Sequence, residues 1–170
     1  MSYRARYKLS TYLGIILLDI FKIRKTVAKN NIKKAFPFWT EKKVNAVLKK
    51  TYIFFSNNFI NFIGFPNTWK DVSFEIEGRN LLDNAFNRGN GIIMITGHFG
   101  AWEILGKWLG DYSKLFTGVA VKQKNLGAHR FFVEQRELSN TKHIFKKESF
   151  KKMYKVLDLN GILGLVSDQD

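Results

Sequence analysis

The sequence predicts an α/β protein in which basic N-terminal helices precede alternating strand and helix units forming a mostly parallel sheet, incomplete at its C-terminal end. Three observations predict it. After Pro66, apolar runs of strand length alternate with segments of helical periodicity. Before Pro66 the pattern is helical and basic: residues 1–60 carry 13 Lys or Arg against Asp19 and Glu41, whereas residues 61–170 carry 15 against 12 acidic residues. The length of 170 residues, 45% of them hydrophobic, suits an ordinary globular core rather than a disordered chain. Two domains follow, a basic helical membrane-associating segment at 1–65 and the N-terminal part of an α/β domain at 66–170.

The first apolar segment, Tyr12–Ile23 ("YLGIILLDIFKI"), is shorter than a membrane span and is interrupted by Asp19 and Lys22. With its basic flanks it reads as an interfacial helix or the remnant of a longer anchor, and a core helix fits it equally well. No small-residue cleavage site follows it. Thr40 is placed to N-cap a long helix whose apolar positions Val44, Val47, Leu48, Tyr52, Phe55, Phe59, Phe62 and Ile63 share helical spacing; Gly64 and Pro66 stop it.

Val72–Glu77 ("VSFEIE") alternates as a half-exposed strand does, and Asn80–Arg88 reads as a short helix. Ile92–Thr96 ("IIMIT") suits a central strand covered on both faces. Helices are then expected at Ala101–Leu109, Leu126–Leu138 and Phe150–Leu159, and strands at Phe116–Val121, Lys142–Phe145 and Ile162–Ser167. Asp168-Gln169-Asp170 ends the chain directly after the last of these strands, as a fragment of a larger domain would.

The chemistry concentrates in "TGHFGAWEILG", where the most apolar strand candidate gives way to His98 and Glu103. Open α/β sheets gather functional groups beyond the carboxyl ends of their strands. Residues five apart do not face each other on a helix. Gly97 and Gly100 permit a turn that would bring the imidazole and the carboxylate together. A carboxylate-oriented imidazole is a general base. Without any Cys, and without a G-x-S-x-G motif, the chain offers no nucleophile of its own, so the substrate would supply one, such as a hydroxyl. A helix beginning near Ala101 would offer backbone N–H groups to an oxyanion. The plainer alternative has His98 as a packing or capping residue and Glu103 as a first-turn acid favoured by the helix dipole. No H-E-x-x-H occurs, His129 and His143 have no ligand spacing, and neither a metal nor another cofactor is expected.

"TGHFGAWEILG" resembles the H-x-x-x-x-D/E motif of glycerolipid-type acyltransferases, and its "GHFG-WE" form is similar to the late acyltransferases of bacterial lipid A biosynthesis. "NNIKKAFP" (Asn30–Pro37) resembles that family's "N-L-x-x-A-F-P" segment, "VKQKNLGAHRFFVEQR" its "Y-R-P-L-K-N-P…R" region, and "LVSDQD" its "D-Q" segment, in the same order along nearly the whole chain. The resemblance implies transfer of a fatty acyl chain from an acyl-carrier-protein thioester to a hydroxyl of a lipid A precursor, at the cytoplasmic face of an inner membrane. It implies His98 as base, Glu103 as its orienting carboxylate, Arg136 as a ligand for acidic groups or the oxyanion, and Asp168 as a further active-site residue. Lys122 stands where the family has the arginine of "Y-R-P", keeping the charge but losing the bidentate fork. It also implies that further strands follow the "D-Q" segment.

The formal charge of +14 suits anionic lipid or the acidic carrier protein. A second reading is a catalytically inactive fragment that binds membranes or an acidic partner. Nucleic acid is not an expected partner, because no phosphate loop, RNP-type aromatic signature or helix-turn-helix pattern accompanies the charge.

Overall fold

The computed structural model describes residues 1–70, 72–146, 148 and 150–168, among which there are seven α-helices and four strands. The chain forms two compact units, Met1–Gly64 and Phe65–Asp170.

The first unit is helical. Helix α1 (Tyr3–Ile15) runs into a π-helical turn (Ile16–Ile20), followed by α2 (Lys25–Ala35) and α3 (Glu41–Ile63). Ser2 caps α1 by accepting from the Ala5 amide. Thr40 caps α3 as its position in the sequence requires, accepting from the Lys43 amide at 3.3 Å. Helices α1 and α3 lie antiparallel along a polar and small-residue seam. Arg6 Nε donates to Asn61 Oδ1, the Ser10 hydroxyl donates to Asn57 Oδ1, and Gly14 lies against Ile53. Each step of four along α1 meets a step of four back along α3, which is how two helical faces register. At Gly14 a Cβ would sit 2.8 Å from the Ile53 backbone, so only glycine permits this approach. The helix around the expected interfacial segment runs over Tyr3–Ile20, and the chain leaves it at Lys22, whose φ is 50°. Tyr12, Ile16, Ile20, Phe21 and Ile23 are exposed. Among the described residues no helix is long and apolar enough to cross a membrane.

The second unit is the α/β domain: α4 (Arg79–Asn87), β1 (Ile92–Thr96), α5 (Trp102–Ser113), β2 (Phe116–Ala120), α6 (Leu126–Glu137), β3 (Lys142–Phe145), α7 (Phe150–Asp158) and β4 (Ile162–Val166). All strand pairs are parallel, in the order β1-β4-β2-β3. Leu109, Phe116 and Ile162 are buried together, with Leu82, Phe86, Ile92, Leu105 and Trp108 packed around them. Burying each such side chain stabilises the fold by roughly 1.5–3 kcal/mol. The helices expected at Asn80–Arg88, Ala101–Leu109, Leu126–Leu138 and Phe150–Leu159 form within a few residues of those bounds.

Two expectations are corrected. The expected strand Val72–Glu77 is irregular chain, because no strand of the described sheet pairs with it. The expected central strand Ile92–Thr96 is instead an edge of the described sheet. β4 returns to lie beside it, so β4 and β2 take the central places. On one face of β1, Ile93 and Ile95 are 55% and 70% exposed, while Ile92 and Met94 on the other face pack against the core. A continuous apolar run does not by itself distinguish a central strand from an edge.

Gly14→Val should lower the stability of the helical unit by about 1–3 kcal/mol through forced separation of α1 and α3, read as a lower urea midpoint. An unchanged midpoint would mean that the seam does not hold the two helices together.

Candidate active site

The site is built by strand pairing. In the β1–β4 ladder Ile92 partners Ile162 and Thr96 partners Val166. Two residues further along each chain, that register delivers His98 and Asp168 to the same place, beyond the carboxyl ends of two neighbouring parallel strands. The Asp168 carboxylate engages His98 twice. One oxygen accepts the His98 backbone N–H at 2.8 Å, and the other lies 2.8 Å from Nδ1 of the ring. A carboxylate can only accept, so the ring carries its proton on Nδ1 and leaves Nε2 as the basic atom. The backbone and side-chain hydrogen bonds from His98 lower the Asp168 pKa below the ordinary aspartate value, which keeps the carboxylate ionised at neutral pH.

The turn between strand and helix makes the close approach possible. At Gly97 a Cβ would lie 3.2–3.3 Å from the Asp168 side chain, and Gly100 takes a left-handed φ of 62°. Trp102, the first residue of α5, meets the His98 ring edge to face at 5.3 Å between centroids. The His98 and Asp168 side chains remain 34% and 41% exposed, so a substrate can reach them.

Glu103 is placed elsewhere than expected. It lies in the first turn of α5, and its carboxylate is gripped by Arg136 from the last turn of α6. Arg136 Nη2 donates to Oε1 at 2.7 Å, and Nε donates to Oε2 at 3.1 Å. This two-point geometry is the strong form of a charge-assisted pair, and at 19% and 26% exposure it is largely withdrawn from solvent. The expected imidazole–Glu103 contact is therefore replaced by two separate pairs, His98–Asp168 and Glu103–Arg136. The physical reason is direction: the first turn of α5 aims Glu103 toward α6, while the strand end leaves His98 beside β4. The guanidinium also sits 5.6 Å over the Phe132 ring.

Lys122 follows β2, with its ammonium 5.8 Å from the centroid of the Phe145 ring. It stands at the carboxyl end of the sheet but makes no contact with either pair. Gln169, the other half of the "D-Q" segment, lies outside the described residues.

His143, on β3, is the group that sequence spacing did not single out. Both of its ring nitrogens are buried without a hydrogen-bond partner among the described residues. Burial, reinforced by the positive charge of Arg136, lowers its pKa to about 4, against the opposing pull of Glu103. Its ring stacks on Phe145 at 6.2 Å and 14°. Its only signal in the sequence was an ionisable residue inside a strand of the core face.

The family model for bacterial lipid A biosynthesis acyltransferases matches residues 1–170, the whole chain. No curated protein matches the chain.

The neutral state of His143 sets a pH dependence. Its folded pKa lies below the unfolded value near 6.5, so the unfolded chain binds more protons between the two. The stability it contributes is complete above about pH 6.5 and is lost as pH falls toward 4. His143→Phe should flatten this part of a stability–pH curve measured by thermal melting. A variant curve parallel to the parent's would contradict the assignment.

Proposed function

This chain belongs to the bacterial lipid A biosynthesis acyltransferase family, and on that premise we propose that it moves a fatty acyl chain from an acyl-carrier-protein thioester to a hydroxyl of a lipid A precursor, with His98 as the general base. The family makes the chain an acyltransferase of lipid A biosynthesis. The carrier-bound donor, the acceptor hydroxyl and the residue roles are our reading. The observation that carries it is the double hydrogen bond from His98 to Asp168 beyond the carboxyl ends of β1 and β4.

Nε2 of His98 removes the proton of the acceptor hydroxyl as its oxygen attacks the thioester carbonyl carbon. Asp168 holds the tautomer and stabilises the imidazolium that forms. The carbonyl becomes a tetrahedral oxyanion, favoured by the positive end of the α5 dipole. As the C–S bond breaks, the imidazolium returns the proton to the departing thiolate. The products are the new ester and the free thiol of the carrier, and the base is regenerated. No nucleophile from the protein is needed, in keeping with a chain that has no Cys. Glu103 acts through Arg136: it fixes the guanidinium beside the site, where that cation attracts acidic substrate groups.

The basic helices support a membrane-surface setting. Lys42, Lys43, Lys49 and Lys50 are exposed on α3, as are Phe54, Phe55 and Phe59 further along it. Near an anionic leaflet each such lysine contributes about 1 kcal/mol. We propose the cytoplasmic face of an inner membrane as its place, a reading supported by the exposed lysines and aromatic rings of α3.

With labelled acyl-carrier-protein thioester and a lipid A precursor, membranes carrying the chain should form acylated product. His98→Ala and Asp168→Asn should each lower kcat/KM by about 10²–10⁴-fold. Glu103→Gln should act chiefly by raising KM for the charged substrate. Full transfer by His98→Ala would remove the mechanism. Charge reversal at Lys42, Lys43, Lys49 and Lys50 should weaken binding of the chain to anionic vesicles and leave binding to neutral vesicles little changed. Equal loss on both would show that the charge is not what holds it there.

A further inference from the structure

The second face of the sheet holds a cavity that the transfer chemistry does not use. Side chains alternate between the two faces along a strand. Phe116 of β2 and Ile162 of β4 are buried with Leu109 of α5. Thr117 of β2 and its register partner Lys142 of β3 therefore belong to the opposite face. There they line a cavity of about 220 Å³, together with Leu115 before β2 and with Lys155, Val156 and Leu159 at the end of α7. Thr117 and Lys142 stand at the amino ends of β2 and β3. His98 and Asp168 follow the carboxyl ends of β1 and β4, so the cavity lies toward the other end of this parallel sheet.

Two features of this lining are not explained by folding alone. Thr117 is only 4% exposed, yet its hydroxyl has no hydrogen-bond partner among the described residues. Buried hydroxyls are ordinarily paired, because an unpaired one has given up its hydration for nothing. The second feature is charge. Lys152 also reaches the cavity, but Glu148 holds its ammonium at 3.0 Å. Lys142 and Lys155 have no acidic partner among the described residues. One idle donor and two uncompensated cations thus border a wall of Leu115, Val156 and Leu159.

We propose that this cavity binds a small organic carboxylate with an apolar body, at a site separate from the transfer chemistry. The carboxylate accepts from the Thr117 hydroxyl and from the ammonium groups of Lys142 and Lys155, while the body covers the leucine and valine wall. A carboxylate offers two acceptor oxygens and one negative charge, which this donor set answers by charge-assisted hydrogen bonds. An alcohol of the same shape would leave both cations unanswered. Inorganic phosphate would leave the apolar wall uncovered and find too few donors for its oxygens. The volume has room for about seven waters, hence for an acid of about six carbons. The proposal does not depend on the acyl-transfer reading.

The test titrates the full chain with hexanoate, acetate, 1-hexanol and inorganic phosphate, and follows the methyl resonances of Leu115, Val156 and Leu159 by NMR. Hexanoate should shift them with a Kd of about 1 mM or tighter, and each of the other three should bind about tenfold more weakly or less. Thr117→Val, which keeps the shape and removes the hydroxyl, should weaken hexanoate binding about tenfold, and Thr117→Ser should restore it. Lys142→Gln combined with Lys155→Gln, both at exposed positions, should weaken it at least as much and serves if the valine variant does not fold. His98→Ala should leave it unchanged. Hexanol or phosphate binding as tightly as hexanoate would overturn the proposal. So would equal hexanoate affinity in the parent and the folded Thr117 and lysine variants, loss of binding in His98→Ala, or no methyl shift with hexanoate at about 20 mM, well above the expected Kd.

Discussion

The parallel pairing of β1 with β4 is the constraint on which the site depends. These strands lie 70 residues apart in sequence, yet their register places Asp168 beside His98 and allows one carboxylate to hold both the backbone and the ring of the histidine. A shift of one residue would turn the following side chains to the opposite face and break both contacts. Gly97 supports the same arrangement from below, since a side chain there would press on the Asp168 carboxylate. Register, turn and hydrogen bonds all favour one tautomer of one imidazole. That is what a general base needs before any substrate arrives.

The Glu103–Arg136 pair is a second, drier centre between α5 and α6. The two pairs are thus separate in space: in the proposed reaction the exposed pair would handle the proton, while the half-buried pair holds a positive charge at a fixed place. On the sheet, Gly118 leaves open space where a side chain would stand, while the Phe116 ring fills the space over Gly164. His143, paired with Gly118 across β2 and β3, is kept neutral by burial.

Much of the fold was legible because its signals are local. Thr40 as a cap, Gly64 as a stop, and the runs Ile92–Thr96 and Ile162–Val166 each announce an element through side chains within a few residues. Strand order is not local. The apolar run of β1 reads as a central strand, but its place depends on where β4 inserts, and no residue of β1 encodes that. The alternation in Val72–Glu77 likewise describes a strand only if a partner edge is available. His98, Glu103, Arg136 and Asp168 were all legible in the sequence as candidate site residues. Their partnerships were not, because proximity in sequence favoured His98–Glu103 while the fold joins residues 70 and 33 positions apart.

The most direct test of this account is the tautomer of the His98 ring, followed by nitrogen-15 NMR in the parent, Asp168→Ala and Glu103→Gln. The account predicts a protonated Nδ1 and a free Nε2 in the parent, unchanged in Glu103→Gln and lost in Asp168→Ala. Retention of the Nδ1 proton in Asp168→Ala together with its loss in Glu103→Gln would contradict it, and would return Glu103 to the role of the carboxylate that orients the base.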